Sequence, residues 1–151
     1  KAVLRHDCAV HAGDVGGACV LEALRPGRGL VYAVRGNNDV VDKWTGQDRT
    51  LLNSLEESLL IALPGGVLAV VHGHQAGRPS DRHRKLRARF SDAKGVVFGH
   101  SHHRCVDKSA RPWMLNPGAA GKARAYGGPG FLSLTASRRR WVVREVIFTP
   151  L

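Results

Sequence analysis

The chain is poor in most of the features that would tie it to a membrane, an oxidising compartment or a nucleic-acid groove. No apolar run approaches the roughly 18 residues that a membrane-spanning helix requires, so no helical span is expected. No leader pattern is read at its start. Cysteine is scarce, at three in 151 residues. Cys8, Cys19 and Cys105 have neither metal-finger nor redox spacing, which excludes a disulfide framework and makes a reducing cytoplasm the expected location. Aromatic residues are only 6% of the chain, and none interleaves the arginine runs at 82–89 and 138–140. Those runs therefore lack the stacking platform of a single-strand binder, and any nucleic-acid partner would be held by charge alone. Acidic residues are also short, 12 against 23 lysines and arginines. A surplus of that sign favours anionic partners without specifying a fold.

What is present suffices for one core. An apolar share of 43% over this length fits a single domain spanning 1–151. The apolar run at 8–11 predicts a strand, 15–24 a helix, and 30–34 a second strand. That order is a βαβ unit with parallel pairing. Residues 40–50 read as polar and irregular, and 51–63 mixes helical and strand patterns without a clear boundary. Pro64-Gly65-Gly66 predicts a hairpin turn between strands at 59–63 and 67–71. A basic helix is predicted over 82–90, capped by Ser80 or Asp81. Strands follow at 95–98 and 113–115, then a glycine-rich loop over 118–130, then a terminal hairpin of 131–135 with 141–148. No internal repeat is seen.

Four polar segments each follow one of these apolar runs: His-Ala-Gly-Asp at 11–14, Gly-Asn-Asn-Asp at 36–39, His-Gly-His at 72–74 and Gly-His-Ser-His at 99–102. Open α/β sheets gather ligand sites at the carboxyl ends of their strands. Asp14, Asn37, His72, His100 and His102 are thus expected to converge on one rim. A mixture of carboxylate, amide and imidazole suits a borderline divalent ion such as manganese, iron or zinc, and it points to metal-dependent hydrolysis. Taken singly, each residue has a plainer explanation. A lone histidine at a strand end is usually hydrogen-bonded packing, and Gly-Asn or Gly-Asp is ordinary turn chemistry. The joint occurrence in one order separates the two readings. His11 is read as packing; His103 is a candidate substrate contact. Arg78, Arg82 and Arg104 lie near the histidine loops as candidates to clamp an anion.

The series Gly-Asp, Gly-Asn-x-Asp, His-Gly-His, Gly-His-x-His and Asn-Pro-Gly, running from His11 to Gly118, resembles the calcineurin-like metallophosphoesterase superfamily. Within it, the short spacing is similar to the small bacterial and archaeal phosphodiesterase branch that shares the Vps29 fold. The resemblance implies a four-layer α/β/β/α sandwich of two mixed sheets. It implies two divalent ions, manganese foremost with iron, zinc, nickel or magnesium as alternatives. It places Asp14 between both ions, Asn37, His72 and His100 on one, and His102 on the other. Asp39 and His74 become the candidate catalytic residues, Asp39 as an orienter and His74 as an orienter or substrate-facing group. The implied activity is hydrolysis of phosphate esters, a nucleotide or other phosphodiester among them, by metal-activated attack of water. A homo-oligomer is compatible with it.

Two departures from the family pattern qualify this. The family opens with a strand ending in Asp-x-His, and nothing before Asp14 fits it. The domain is therefore expected to be incomplete at its N-terminal side, with the first strand missing and only one metal site complete. The alternative is a catalytically weakened member acting as a protein-binding scaffold. Asn38 stands where protein phosphatases of the family carry a histidine that can protonate the leaving group.

Overall fold

The computed structural model describes residues 3–121 and 124–148. Strand β1 (Cys8–His11) pairs in parallel with β2 (Leu30–Ala33), and α1 (Ala18–Ala23) connects them, as the βαβ reading expects. The second sheet has five strands in the order β3-β4-β5-β7-β6. Its members are β3 (Ser58–Leu63), β4 (Gly66–Val71), β5 (Gly95–Phe98), β6 (Cys105–Asp107) and β7 (Trp113–Asn116). β3 and β4 form an antiparallel hairpin, β4, β5 and β7 run parallel, and β6 returns antiparallel along the edge. Helix α3 (Pro79–Arg89) is the crossover from β4 to β5. A terminal hairpin joins β8 (Gly130–Ala136) to β9 (Trp141–Ile147).

Three apolar clusters define the layers. Leu86 and Phe90 pack on Ala69, Val71, Val96, Phe98 and Met114, which seats α3 on one face of the five-stranded sheet. The opposite face, through Ile61, Leu68, Val70 and Leu115, meets Val10 and Tyr32 of β1–β2 and Leu132, Leu134, Trp141 and Val143 of β8–β9. Beyond β1–β2, Val15, Val20, Leu21 and Ala33 join Trp44 and, from α2 (Asp48–Ser54), Leu51 and Leu52. The sequence is helix, strand, strand, helix across the molecule, so the four-layer sandwich holds. Its second β layer differs from expectation: among the described residues it is two separate pairs, β1–β2 and β8–β9, not one mixed sheet.

Local boundaries also differ, each for a physical reason. Helix α3 begins three residues early because Pro79 occupies its first turn, where a missing N–H costs nothing. Neither Ser80 nor Asp81 caps it; Arg78 is the N-cap and makes no side-chain cap bond. The stretch at 40–50 is not wholly irregular, since a 3₁₀ turn forms at Val41–Lys43 and α2 starts at Asp48. Helix α1 is shorter than 15–24 because Gly16 and Gly17 take positive φ and delay its start. Of the loop expected at 118–130, residues 122–123 lie outside the described residues, and Gly130 belongs to β8. Among the described residues no helix is long and apolar enough to cross a membrane.

Candidate metal centre

Strands β1, β2, β4 and β5 end at one edge, since β1 and β2 run parallel and β4 and β5 end in register at Val71 and Phe98. The turns leaving them carry Asp14, Asn37, His72 and His100. Close packing of those turns depends on glycine. A Cβ on Gly13, which has φ +87°, would lie 2.6 Å from Nδ1 of His72 and 2.9 Å from the backbone N of Gly36. A Cβ on Gly36 would overlap the backbone N and carboxylate of Asp14. Glycine before the polar residue therefore lets two chains touch where side chains must converge.

Asp39 fastens the first two turns. Its carboxylate, 1% exposed, accepts backbone N–H bonds from Val15 at 3.1 Å and Gly36 at 2.8 Å on one oxygen and from Gly16 at 3.0 Å on the other. The carboxylate is spent on the backbone, which suits an orienter and leaves little capacity for proton transfer. Asn116, fully buried, does similar work for the His100 turn. Its amide donates to the Gly99 carbonyl and Ser101 hydroxyl, both at 3.0 Å, and its oxygen accepts from Gly118 N–H. The Asn-Pro-Gly signal marked this residue without revealing that task.

The donors meet around Asn37. Its Oδ1 lies 3.1 Å from Nε2 of His72 and 3.1 Å from Nδ1 of His100. Oδ1 of Asp14 lies 3.4 Å from the same His72 nitrogen. His72 is 2% exposed, and its Nδ1 stands 2.7 Å from the carbonyl of Ala12. That carbonyl can only accept, so Nδ1 carries a proton, and in the neutral ring Nε2 then presents its lone pair to two oxygens. Facing lone pairs repel unless a cation lies among them. A proton on Nε2 would satisfy one contact; a divalent ion would satisfy all of them. The observed separations agree with the edges of a coordination polyhedron, about 3.0 Å octahedral and about 3.4 Å tetrahedral at bond lengths near 2.1 Å. Among the described residues no group of three or more His, Cys, Asp or Glu has metal-holding geometry; the focus exists because the Asn37 amide oxygen is part of it.

Three of the site residues sit at φ between +57° and +64°: Asp14, His100 and His102. Left-handed backbone at residues with a Cβ is costly and is often kept where function needs it. The electrostatics favour a cation. Burial pulls the Asp14 carboxyl upward, but bonds from the Asn38 side chain (2.8 Å) and backbone N–H (2.9 Å), with the nearby histidines, outweigh it and hold the group below the usual carboxylate range. Burial first, then repulsion from His72, lowers His100 and His74, with Arg82 adding to the effect on His100. Imidazoles held neutral in this way keep their lone pairs available.

The remaining candidates are less closely joined. The rings of His72, His74 and His100 cluster at centroid separations of 5.4, 5.3 and 6.2 Å, so His74 borders the focus; its buried Nδ1 has no partner among the described residues. No hydrogen bond or ring contact links His102 to the four donors among the described residues, although its Nδ1 is likewise buried and unpartnered. His11 is half-buried; its Nδ1 is buried with no partner among the described residues, and burial first, then the charges of Asp39, His72 and Asp14, act on it. Asn38 was read only as a missing proton donor, whereas it grips both oxygens of Asp14. His103 stacks on Tyr126 with centroids 4.2 Å apart.

Comparison with known proteins bears on the family and the fold. Residues 1–139 match the model of the calcineurin-like phosphoesterase superfamily domain. No curated protein matches the chain. Among solved structures, Vps29 of Entamoeba histolytica complexed with zinc is similar at TM-score 0.73 and 23% identity, covering 93% of this chain and 75% of that one. An archaeal phosphodiesterase is similar at TM-score 0.64 and 18% identity, covering 93% and 83%. A predicted phosphoesterase of Streptococcus pneumoniae is similar at 0.58 and 18%, covering 95% and 84%. At such identities these likenesses concern the fold.

Proposed function

The chain belongs to the calcineurin-like phosphoesterase superfamily, and from that premise we propose that it is a metal-dependent phosphodiesterase or phosphatase. The observation that carries the reading is Nε2 of His72, aimed at Asn37 Oδ1 and Asp14 Oδ1 while its other nitrogen is committed to Ala12. Asp14, Asn37, His72 and His100 would hold a divalent ion, with manganese, iron or zinc suited to that donor set. His102, whose buried Nδ1 has no partner among the described residues, would help to hold a second ion together with Asp14. When bound, such an ion polarises a phosphoryl oxygen and activates water for in-line attack.

The chain's own residues supply position and charge. Ala12 fixes the tautomer of His72. Asn38 orients Asp14 and keeps it ionised. Asp39 and Asn116 lock the turns so that the donors need not reorganise during the reaction. His74 borders the open side of the cluster, where a substrate would approach. The substrate class is a phosphate ester, and the basic surface favours its entry. Hydrolysis of bis(p-nitrophenyl) phosphate by the purified chain with added manganese tests the proposal. Turnover is expected, and His72→Ala is expected to abolish both turnover and calorimetric manganese binding. Manganese binding with no turnover would favour the scaffold reading, and absence of both would sink the metal centre.

A further inference from the structure

Sequence singled out three arginines near the histidine loops, and their surroundings separate them. Arg104 spends its guanidinium on the carbonyls of Gly127 at 3.3 Å and Gly128 at 2.9 Å. Arg78 is an exposed residue at the start of α3. Arg82 differs from both. It is 6% exposed, its Nε is buried without a partner, and no hydrogen bond or ion pair to its guanidinium is found among the described residues. The neighbouring acid, Asp81, is bonded to Arg84 instead.

The terminal nitrogens of Arg82 keep contact with solvent, but Nε is desolvated with no acceptor among the described residues, and a guanidinium so placed gains from an anion that reaches it. Arg82 lies beside the centre just described. Its Cδ is 4.0 Å from where a Cβ on Gly73 would stand, and Gly73 joins His72 to His74. Its charge reaches His100, an exposed member of the donor cluster. A guanidinium offers five N–H donors in a planar fork that matches two oxygens of a phosphate.

We propose that Arg82 is an anion-binding residue of this site, whose guanidinium receives phosphoryl oxygens of an ester seated beside His100. The identity of the anion as a phosphate ester rests on the phosphoesterase reading; the need of Arg82 for an anion does not. Two consequences follow that a structural arginine would not share. Replacing it with an apolar residue of similar length costs the fold little, since no hydrogen bond or ion pair among the described residues is lost and an orphaned buried N–H is removed. The same replacement weakens stabilisation by inorganic phosphate, which acts on the wild type by mass action.

The experiment compares wild type, Arg82→Met, Arg82→Lys and the exposed-site control Arg139→Met. Inorganic phosphate is titrated at constant ionic strength, with chelator in one arm and manganese in the other, following thermal midpoint and calorimetric heat. Phosphate is expected to raise the midpoint of wild type and of the control in both arms. Its affinity should fall roughly tenfold to a hundredfold in Arg82→Met, the cost of losing charged hydrogen bonds, and less in Arg82→Lys, which keeps the charge but not the fork. Undiminished phosphate affinity in a folded Arg82→Met overturns the inference, as does an Arg82→Met protein markedly less stable than wild type in phosphate-free buffer. If manganese-dependent turnover is absent while phosphate binding still requires Arg82, the phosphoesterase reading fails and the anion site stands. If turnover is present and phosphate binds both proteins equally, the reverse holds.

Discussion

Removing the Asp39 carboxylate should loosen the centre and the fold together, and the size of the effect can be worked from its bonds. Asp39→Ala strands three backbone N–H groups. Those of Val15 and Gly36 are buried, while Gly16 is exposed and can turn to water. A buried donor left unpaired costs about 1–3 kcal/mol, so two such donors cost about 2–6 kcal/mol, with about 4 kcal/mol as the expected value. Against a total stability of about 5–15 kcal/mol for a domain, that is severe but survivable, and it should lower the midpoint by about 10 °C for a chain of this size. Asp39→Asn is the informative partner. With its carbonyl in place of the oxygen that serves Val15 and Gly36, it keeps both buried bonds and sets its NH₂ toward the solvent-accessible Gly16. Its cost should be only about 1–2 kcal/mol, from weaker neutral acceptance. Urea unfolding with constant slope measures both. A loss below about 1 kcal/mol in Asp39→Ala, or equal damage in the two variants, would refute the assignment of this carboxylate as a fastener of two turns.

Other outcomes follow from the same geometry. Gly13→Ala should displace His72, because the new methyl would lie 2.6 Å from its Nδ1, and calorimetry should show manganese affinity reduced by roughly tenfold or more. Asp107 is held well below the usual carboxylate range by the Ser109 hydroxyl and backbone N–H and by Arg87, which outweigh burial. A depressed folded value means that its stabilisation is complete above the unfolded value near pH 4 and is lost as pH falls below it. Asp107→Asn should therefore flatten the acid limb of a stability–pH curve below about pH 4 while changing its shape little at neutrality. Trp44 is buried and its indole N–H has no partner among the described residues, so Trp44→Phe should cost no more than about 1–2 kcal/mol despite lost volume. Its neighbour Leu52, fully buried, should cost about 2–5 kcal/mol as Leu52→Ala in the same urea titration.

The sheet strands were legible because buried parallel strands read as short apolar runs ended by glycine, and β1, β2, β4 and β5 all have that form. Their shared polarity then placed Asp14, Asn37, His72 and His100 on one edge. Helix α2 was not legible: seven residues that bury only Leu52 show no period. Strand β6, three residues with none fully buried, gives no signal either. The start of α3 was readable in principle, since Pro79 is a first-turn residue, but Ser80 and Asp81 offered a competing cap. Contacts between distant turns were beyond the sequence altogether. The grip of Asn38 on Asp14, the pinning of His100 through Asn116, the field around His11 and the isolation of Arg82 all depend on which chains the glycines allow to touch.

The left-handed backbone at Asp14, His100 and His102 has a practical corollary for mutagenesis. Side chains branched at Cβ resist that conformation, and alanine relieves none of it, whereas asparagine adopts it readily. A scan with alanine or valine at these three positions would confound a turn that has flipped with a donor that has been deleted. Asparagine replacements keep the loop at rest and so report on the chemistry of the group removed.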